Sequence, residues 1–272
     1  MNIVELYKSG LSTYQISEIL NINRSRVARC VKSSGCMRSL SESKRKYPLL
    51  DECILDNIDT EQKAYFLGLV ISDGWNDKRF NQIGISLIEE DSYILETLSK
   101  LFYENRPLRR IKSKKPREKT KCRLVVISKK ICNAMSKHGA SPAKTHTAIY
   151  PSHVPEHLAP HFIRGVFDGD GCISISRRKT KNGIRVVASF SIVGNIDLLK
   201  SIQKVIEKQC GIKPKKISIK HPGTNTDNIV YIRYSKMEDI LRLEQWMYQD
   251  ASIFLERKKN KFAELRNAMG RR

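Results

Sequence analysis

AYFLGLVISDGW at residues 64–75 and HFIRGVFDGDGC at residues 161–172 decide how this chain is read. Each is an apolar run at helical spacing that carries a glycine and ends in Asp-Gly. The matching acids are Asp73 and Asp170. Further matches follow in the same order. IGISLIEEDSYILETLSKLF (83–102) parallels ASFSIVGNIDLLKSIQKVI (188–206), each a strand running into an amphipathic helix. RLVVISKK (123–130) parallels VYIRYSKM (230–237), each a strand ending in Ser-Lys before another helix. Basic, hairpin-like pieces lie between them, at 106–123 and 213–221. Each half therefore predicts helix, strand, strand, helix, strand, strand, helix. Two such halves predict an α+β pair related by a pseudo-twofold axis.

The repeated helix carries a chemical expectation. Gly68 and Ser72 share one helix face a turn apart, and Gly165 and Gly169 repeat the spacing. Small residues at that period let two helix backbones approach closely. If these two helices pack there, Asp73 and Asp170 meet at one end. Two close carboxylates repel unless a cation sits between them. The negative ends of both helix dipoles and free carbonyls, such as those of Ser72 and Gly169, face the same point. These oxygen donors favour a divalent cation, Mg²⁺ by preference, with Mn²⁺ expected to substitute. A lone Asp-Gly after a helix is a common cap and turn signal. Two copies, at matched places in a duplicated unit, make a site of it.

Composition narrows the partner. In 272 residues, 50 Lys and Arg face 28 Asp and Glu, a net charge of +22. That excess points to a polyanion, and a small anionic metabolite does not account for it. The longest apolar run, 64–71, is far short of a membrane span, so no membrane partner is expected. Seven cysteines without a C-x-x-C pair argue against zinc ribbons and disulfides and fit a reducing cytoplasm. A metal beside a polyanion surface suggests phosphodiester hydrolysis.

Residues 1–35 read as a separate helix-turn-helix module. Ile3, Leu6 and Tyr7 share a face, Gly10 ends that helix, and Ser12 caps a second with Ile16, Ile19 and Leu20 at helical spacing. Asn21-Ile22-Asn23 turns into a third helix, with Val27 and Val31 inward and Arg24, Arg26 and Arg29 outward for DNA. Residues 36–50 read as a basic linker, 51–150 as the first half and 151–272 as the second.

FLGLVISDG (66–74) and IRGVFDGDG (163–171) resemble the two signature helices of the LAGLIDADG homing endonucleases, single-chain two-motif type. WMYQDASIFLERKKNKF (246–262) is similar to the family's closing helix pattern. The resemblance covers about residues 60–268 and implies two αββαββα halves whose four-stranded sheets form a saddle over double-stranded DNA. It implies that Asp73 and Asp170 bind the metals, helped by the carbonyls of Ser72 and Gly169, and that each half cuts one strand. It also implies basic residues near the metals, for which Lys144 in SPAKTHT and Lys258 in FLERKKNKF stand at the matching places. Ile71 replaces the acid often found at the sixth motif position, which the second copy keeps as Asp168. Arg164 stands where the family name has Ala, a position expected on the helix surface. The helix-turn-helix lies outside the family core.

The saddle's DNA contacts are expected from Arg109, Lys112, Lys114 and Arg123 in one half and Arg177, Arg178, Arg185 and Lys216 in the other. His157 and His161 have zinc-like spacing, but no third ligand is evident. The leading reading is a Mg²⁺-dependent, site-specific DNA endonuclease acting as a monomer. The alternatives are a transcription regulator on the same scaffold and an RNA maturase.

Overall fold

Asn2 and Ser12 each accept a backbone N–H of the first helical turn and are answered by Glu5 and Gln15, so two capping boxes start α1 (Ile3–Lys8) and α2 (Thr13–Leu20). Asn21 takes a left-handed conformation at φ 50°, and Asn23 caps α3 (Arg24–Ser33). Leu6, Tyr7, Ile16, Val27 and Val31 bury a small core. Ile19 is 59% exposed and takes no part in it. Its spacing from Ile16 fits a helix face, but this unit is too small to cover that face. After Gly35 the chain folds back: Arg38 donates to the Gly10 carbonyl at 3.1 Å and lies 4.0 Å over the Tyr7 ring. A short helix α4 (Leu40–Ser43) follows. This first unit spans Met1–Asp51, and the second spans Glu52–Arg272.

The computed structural model describes residues 2–43, 50–103, 108–112, 119–181, 183–220 and 229–270; the side chains of Ser41, Lys144, Thr145 and Ile184 are outside the description. Lys114 also lies outside the described residues.

The second unit runs through the duplicated order. The first half is α5 (Glu61–Ser72), β1 (Trp75–Asp77), β2 (Gln82–Ile88), α6 (Ser92–Ser99), β3 (Arg109–Ile111), β4 (Lys121–Ile127) and α7 (Lys129–Lys137). A short helix α8 (Lys144–Thr147) leads to the second half: α9 (Ala159–Asp170), β5 (Gly171–Thr180), β6 (Gly183–Gly194), α10 (Ile196–Cys210), β7 (Ser218–Ile219), β8 (Val230–Tyr234) and α11 (Met237–Tyr248). A closing helix, α12 (Glu256–Gly270), follows it. The two antiparallel sheets are ordered β1-β2-β4-β3 and β5-β6-β8-β7. The fold is thus α+β with two αββαββα halves.

Strand alternation sets which face is covered. In the first sheet Ile83, Ile85, Leu87, Cys122, Leu124 and Val126 are buried under the helices. The residues between them, including Ser86, Arg123 and Ile127, lie on the open face. In the second sheet Ile173, Phe190, Ile192 and Tyr234 are buried, leaving Cys172, Ser174 and Ser176 on the open face. β5 and β6 pair as far as Thr180–Gly183, well past the residues of β6 that β8 covers, so their ends form a two-stranded arm.

The segment between the halves is tied down by a histidine pair. The buried His138 bonds the Leu55 carbonyl through Nε2 at 2.7 Å and the His153 Nε2 through Nδ1. The bond to a carbonyl oxygen requires a proton on Nε2. Burial pushes the His138 pKa below 6.5. The unfolded chain therefore binds more protons than the fold below about pH 6.5, and this contribution is lost on acidification. Replacing His138 by Gln is expected to cost about 1–2 kcal/mol at pH 7.5, and the difference from wild type should shrink towards pH 5. Thermal melts of both proteins across that range check it; a difference independent of pH would count against a neutral His138.

Candidate metal and nucleic-acid site

Why α5 and α9 cross so closely is visible at their glycines. A Cβ on Gly68 would lie 2.1 Å from the Phe162 carbonyl oxygen, and one on Gly165 would lie 2.3 Å from that of Tyr65. The two Cα atoms face each other across the crossing. One turn on, a Cβ on Gly169 would meet the Ser72 Oγ at 2.0 Å and the Asp73 backbone nitrogen at 3.2 Å. The Ser72 hydroxyl donates within its own helix to Gly68 and reaches the Gly165 carbonyl at 3.4 Å. The C-terminal ends of the two helices therefore meet, as the small-residue spacing predicts. Asp73 caps α5, Asp170 is the last residue of α9, and both side chains are exposed.

Lys258, from α12, reaches this junction. Its ammonium donates to the carbonyls of Phe167 at 2.6 Å, Gly171 at 2.8 Å and Gly169 at 3.3 Å. A cation there offsets the negative end of the α9 dipole. Burial lowers the Lys258 pKa to about 8, against the pull of Asp168, Asp73 and Asp170, with Arg257 adding to the lowering. The lysine thus feels both motif aspartates. Lys144 sits in α8, with its side chain outside the description.

Beneath the junction lies a layer of buried polar groups. Asp168 is fully buried and accepts from the Tyr65 hydroxyl and the Leu255 N–H, each at 2.8 Å. Its other oxygen has no partner. Burial raises its pKa to about 6 and lifts that of Tyr65 well above its usual value. Arg164 is 0% exposed, not on the helix surface as its sequence position suggests. It donates to the carbonyls of Met247 and Ile253, to Glu61 at 2.6 Å and towards His161. The reason is tertiary: α5 covers one side of α9, and α11 with the chain leading into α12 covers the other. Such a helix has no face left for solvent. Glu61 is held in turn by Ser252 and Ile253. His161 serves this packing network, and among the described residues no cluster of three or more His, Cys, Asp or Glu could hold a metal. The cation expectation rests on the two aspartates and the nearby carbonyls.

The basic residues fall unevenly. Arg109 pairs with Arg123 across β3 and β4 on the open face of the first sheet. Arg110 points to the other side and bonds Glu89 at 2.9 Å. Arg178 and Arg185 face each other on the exposed arm of β5 and β6. Arg177 alternates to the opposite face, in a hollow shared with Glu264 and Asn267 of α12. Lys112 and Lys216 are exposed, while Lys215 is drawn to Asp239 at 3.0 Å. In the first unit Arg24, Arg26 and Arg29 are exposed on α3.

Residues 163–244 match the family model described as LAGLIDADG endonuclease. Two solved structures share the fold. One is the I-LtrWI LAGLIDADG homing endonuclease bound to target DNA, at 12% identity, covering 82% of this chain and 92% of that one, with a TM-score of 0.51. The other is a mutant of I-SmaMI, at 13% identity, covering 77% and 92%, with a TM-score of 0.50. The chain shares the LAGLIDADG fold of these structures, and its residues 163–244 resemble a LAGLIDADG endonuclease. No curated protein sequence matches it. The two helices that resemble the signature are α5 and α9, and the family match falls on the second half alone. In this chain the sixth motif position, Asp168, acts as a buried acceptor that binds α9 to Tyr65 of α5 and to Leu255. Ile71 occupies that place in α5 and is buried.

Proposed function

We propose that this protein is a site-specific DNA endonuclease of the LAGLIDADG type that hydrolyses phosphodiester bonds at the junction of α5 and α9. The observation that carries the reading is the meeting of Ser72-Asp73 with Gly169-Asp170 at the ends of two helices that touch backbone to backbone. Exposed carboxylates beside helix C-termini form a hard oxygen donor set, which suits Mg²⁺. Asp73 and Asp170, with the Ser72 and Gly169 carbonyls, are the residues that would hold it. When bound, Mg²⁺ supplies charge neutralisation at the phosphate and a more acidic water.

The chain's own groups do the rest. Duplex DNA lies along the open sheet faces, where Arg109, Arg123, Arg178 and Arg185 meet phosphates and base edges. Lys258 stabilises the negative charge that develops on the phosphate in the transition state. It is presented there by its bonds to the end of α9. Lys144 is assigned the matching role in the other half. The module of α1–α3 adds contacts outside the saddle through Arg24, Arg26 and Arg29. The chain acts as a monomer, because both halves are present in it.

The test is to incubate the full chain with plasmids carrying DNA from around its coding sequence, with and without Mg²⁺. Discrete linear products that require the metal support the reading; binding without cutting, or cutting of RNA alone, would replace it by one of the alternatives. On a cleaved plasmid, Lys144→Met and Lys258→Met should each slow one strand more than the other. Nicked circles should then accumulate, and their absence in both variants would remove the lysines from the reaction.

A further inference from the structure

Two arginines stand opposite each other on the open face of the first sheet, where like charges weaken a cross-strand pair. Among the described residues no acid pairs with Arg109 or Arg123, although the neighbouring Arg110 has Glu89. Arg123 is half-buried, and its Nε is buried with no partner. What holds it is Trp75: the guanidinium carbon lies 5.0 Å from the centre of the ring. The indole is itself held flat, because it lies against Gly84 across the β1–β2 pair. A Cβ on Gly84 would meet the ring at 2.4 Å. These residues line a hollow of about 370 Å³ with Gln82, Val125 and Ile127. Folding alone explains neither the uncompensated charge nor the large aromatic surface.

We propose that Arg123, braced by Trp75, reads a guanine in the first half-site, and that Trp75 is its positioning residue. The inference rests on the DNA reading above. A guanidinium stacked on an indole keeps its outer N–H groups free in one plane, and that fork matches O6 and N7 of guanine in the major groove. A phosphate contact needs no such bracing, since a mobile arginine can follow the backbone. Trp75 is two residues beyond Asp73, so the guanine lies near the centre of the site.

The test selects binding sites for the full chain from a random duplex library, then repeats the selection with variants whose melting temperatures match wild type. With wild type, one position should prefer guanine. Arg123→Gln should move that position to adenine or to no preference, with loss of discrimination of roughly 5- to 150-fold, and leave the other positions unchanged. Trp75→Leu should weaken the same position, whereas Trp75→Phe, which keeps an aromatic face, should retain it. Should Trp75→Leu fail to fold, Arg123→Gln decides. An unchanged profile in Arg123→Gln overturns the inference. So does uniform weakening at all positions with a salt dependence shallower by about one unit, which assigns Arg123 to a phosphate. No enriched sequence with wild type would instead overturn the DNA reading on which the inference rests.

Discussion

Asp73→Asn and Asp170→Asn should each abolish double-strand cleavage while leaving duplex binding within a few-fold of wild type. Both side chains are exposed at the ends of α5 and α9, so neither holds the fold together through burial. On the proposed reading each places a negative charge beside the scissile phosphate, a penalty for DNA and an attraction for a divalent cation. The amide is nearly isosteric but carries no charge, so it removes the cation's attraction and the phosphate's repulsion together. Losing one preorganised charge at the transition state costs at least about 100-fold in rate. A gel shift and a cleavage assay on the same duplex separate the two effects. Full cutting by either variant would sink the assignment, and loss of binding would place the residue in DNA recognition instead.

Gly68→Ala should lower stability by about 3 kcal/mol or more, the upper end for overpacking, because the clash is with backbone on both sides. The new methyl would sit 2.1 Å from the Phe162 carbonyl oxygen and 2.9 Å from the Val166 nitrogen. No rotamer change relieves a main-chain contact, so α5 and α9 must move apart. In a unit of this size the melting temperature should fall by roughly 6–12 °C. Separating the helices also separates Asp73 from Asp170, so cleavage should fall further than the melting temperature alone predicts. Gly194→Ala is the control: its methyl would meet only side-chain carbons at 3.4–3.5 Å. Its melting temperature should stay within about 2 °C of wild type, given a cost below about 0.5 kcal/mol. Equal melting temperatures for Gly68→Ala and wild type would falsify the tight crossing.

Some features were legible because they are local or repeated. Ser12 and Asn23 cap the helices that their positions predict, and Gly35 adopts φ 69° after the third. The Gly-Ser and Gly-Gly spacings anticipate the crossing, because only small residues tolerate it. Periodicity failed where it is blind to what lies opposite. Ile19 keeps helical spacing yet faces water, and Arg164 looks like a surface cation yet is fully enclosed. A basic side chain inside an otherwise apolar helix of the repeat was the available signal for burial. Three of its four partners, Glu61, Met247 and Ile253, lie on distant segments, and nothing near Arg164 in sequence announces them.

The sequence by itself determined the duplication, the order of elements in each half and the two Asp-Gly helix ends, since these follow from spacing along one chain. It also determined the excess of positive charge and therefore the class of partner. Only the tertiary structure decided that Lys258 reaches the end of α9, that Arg177 and Arg178 part to opposite faces, and that Trp75 braces Arg123. The physical reason is that each of these depends on which strand or helix lies alongside. A one-residue change of register would turn every side chain on a strand to the other face.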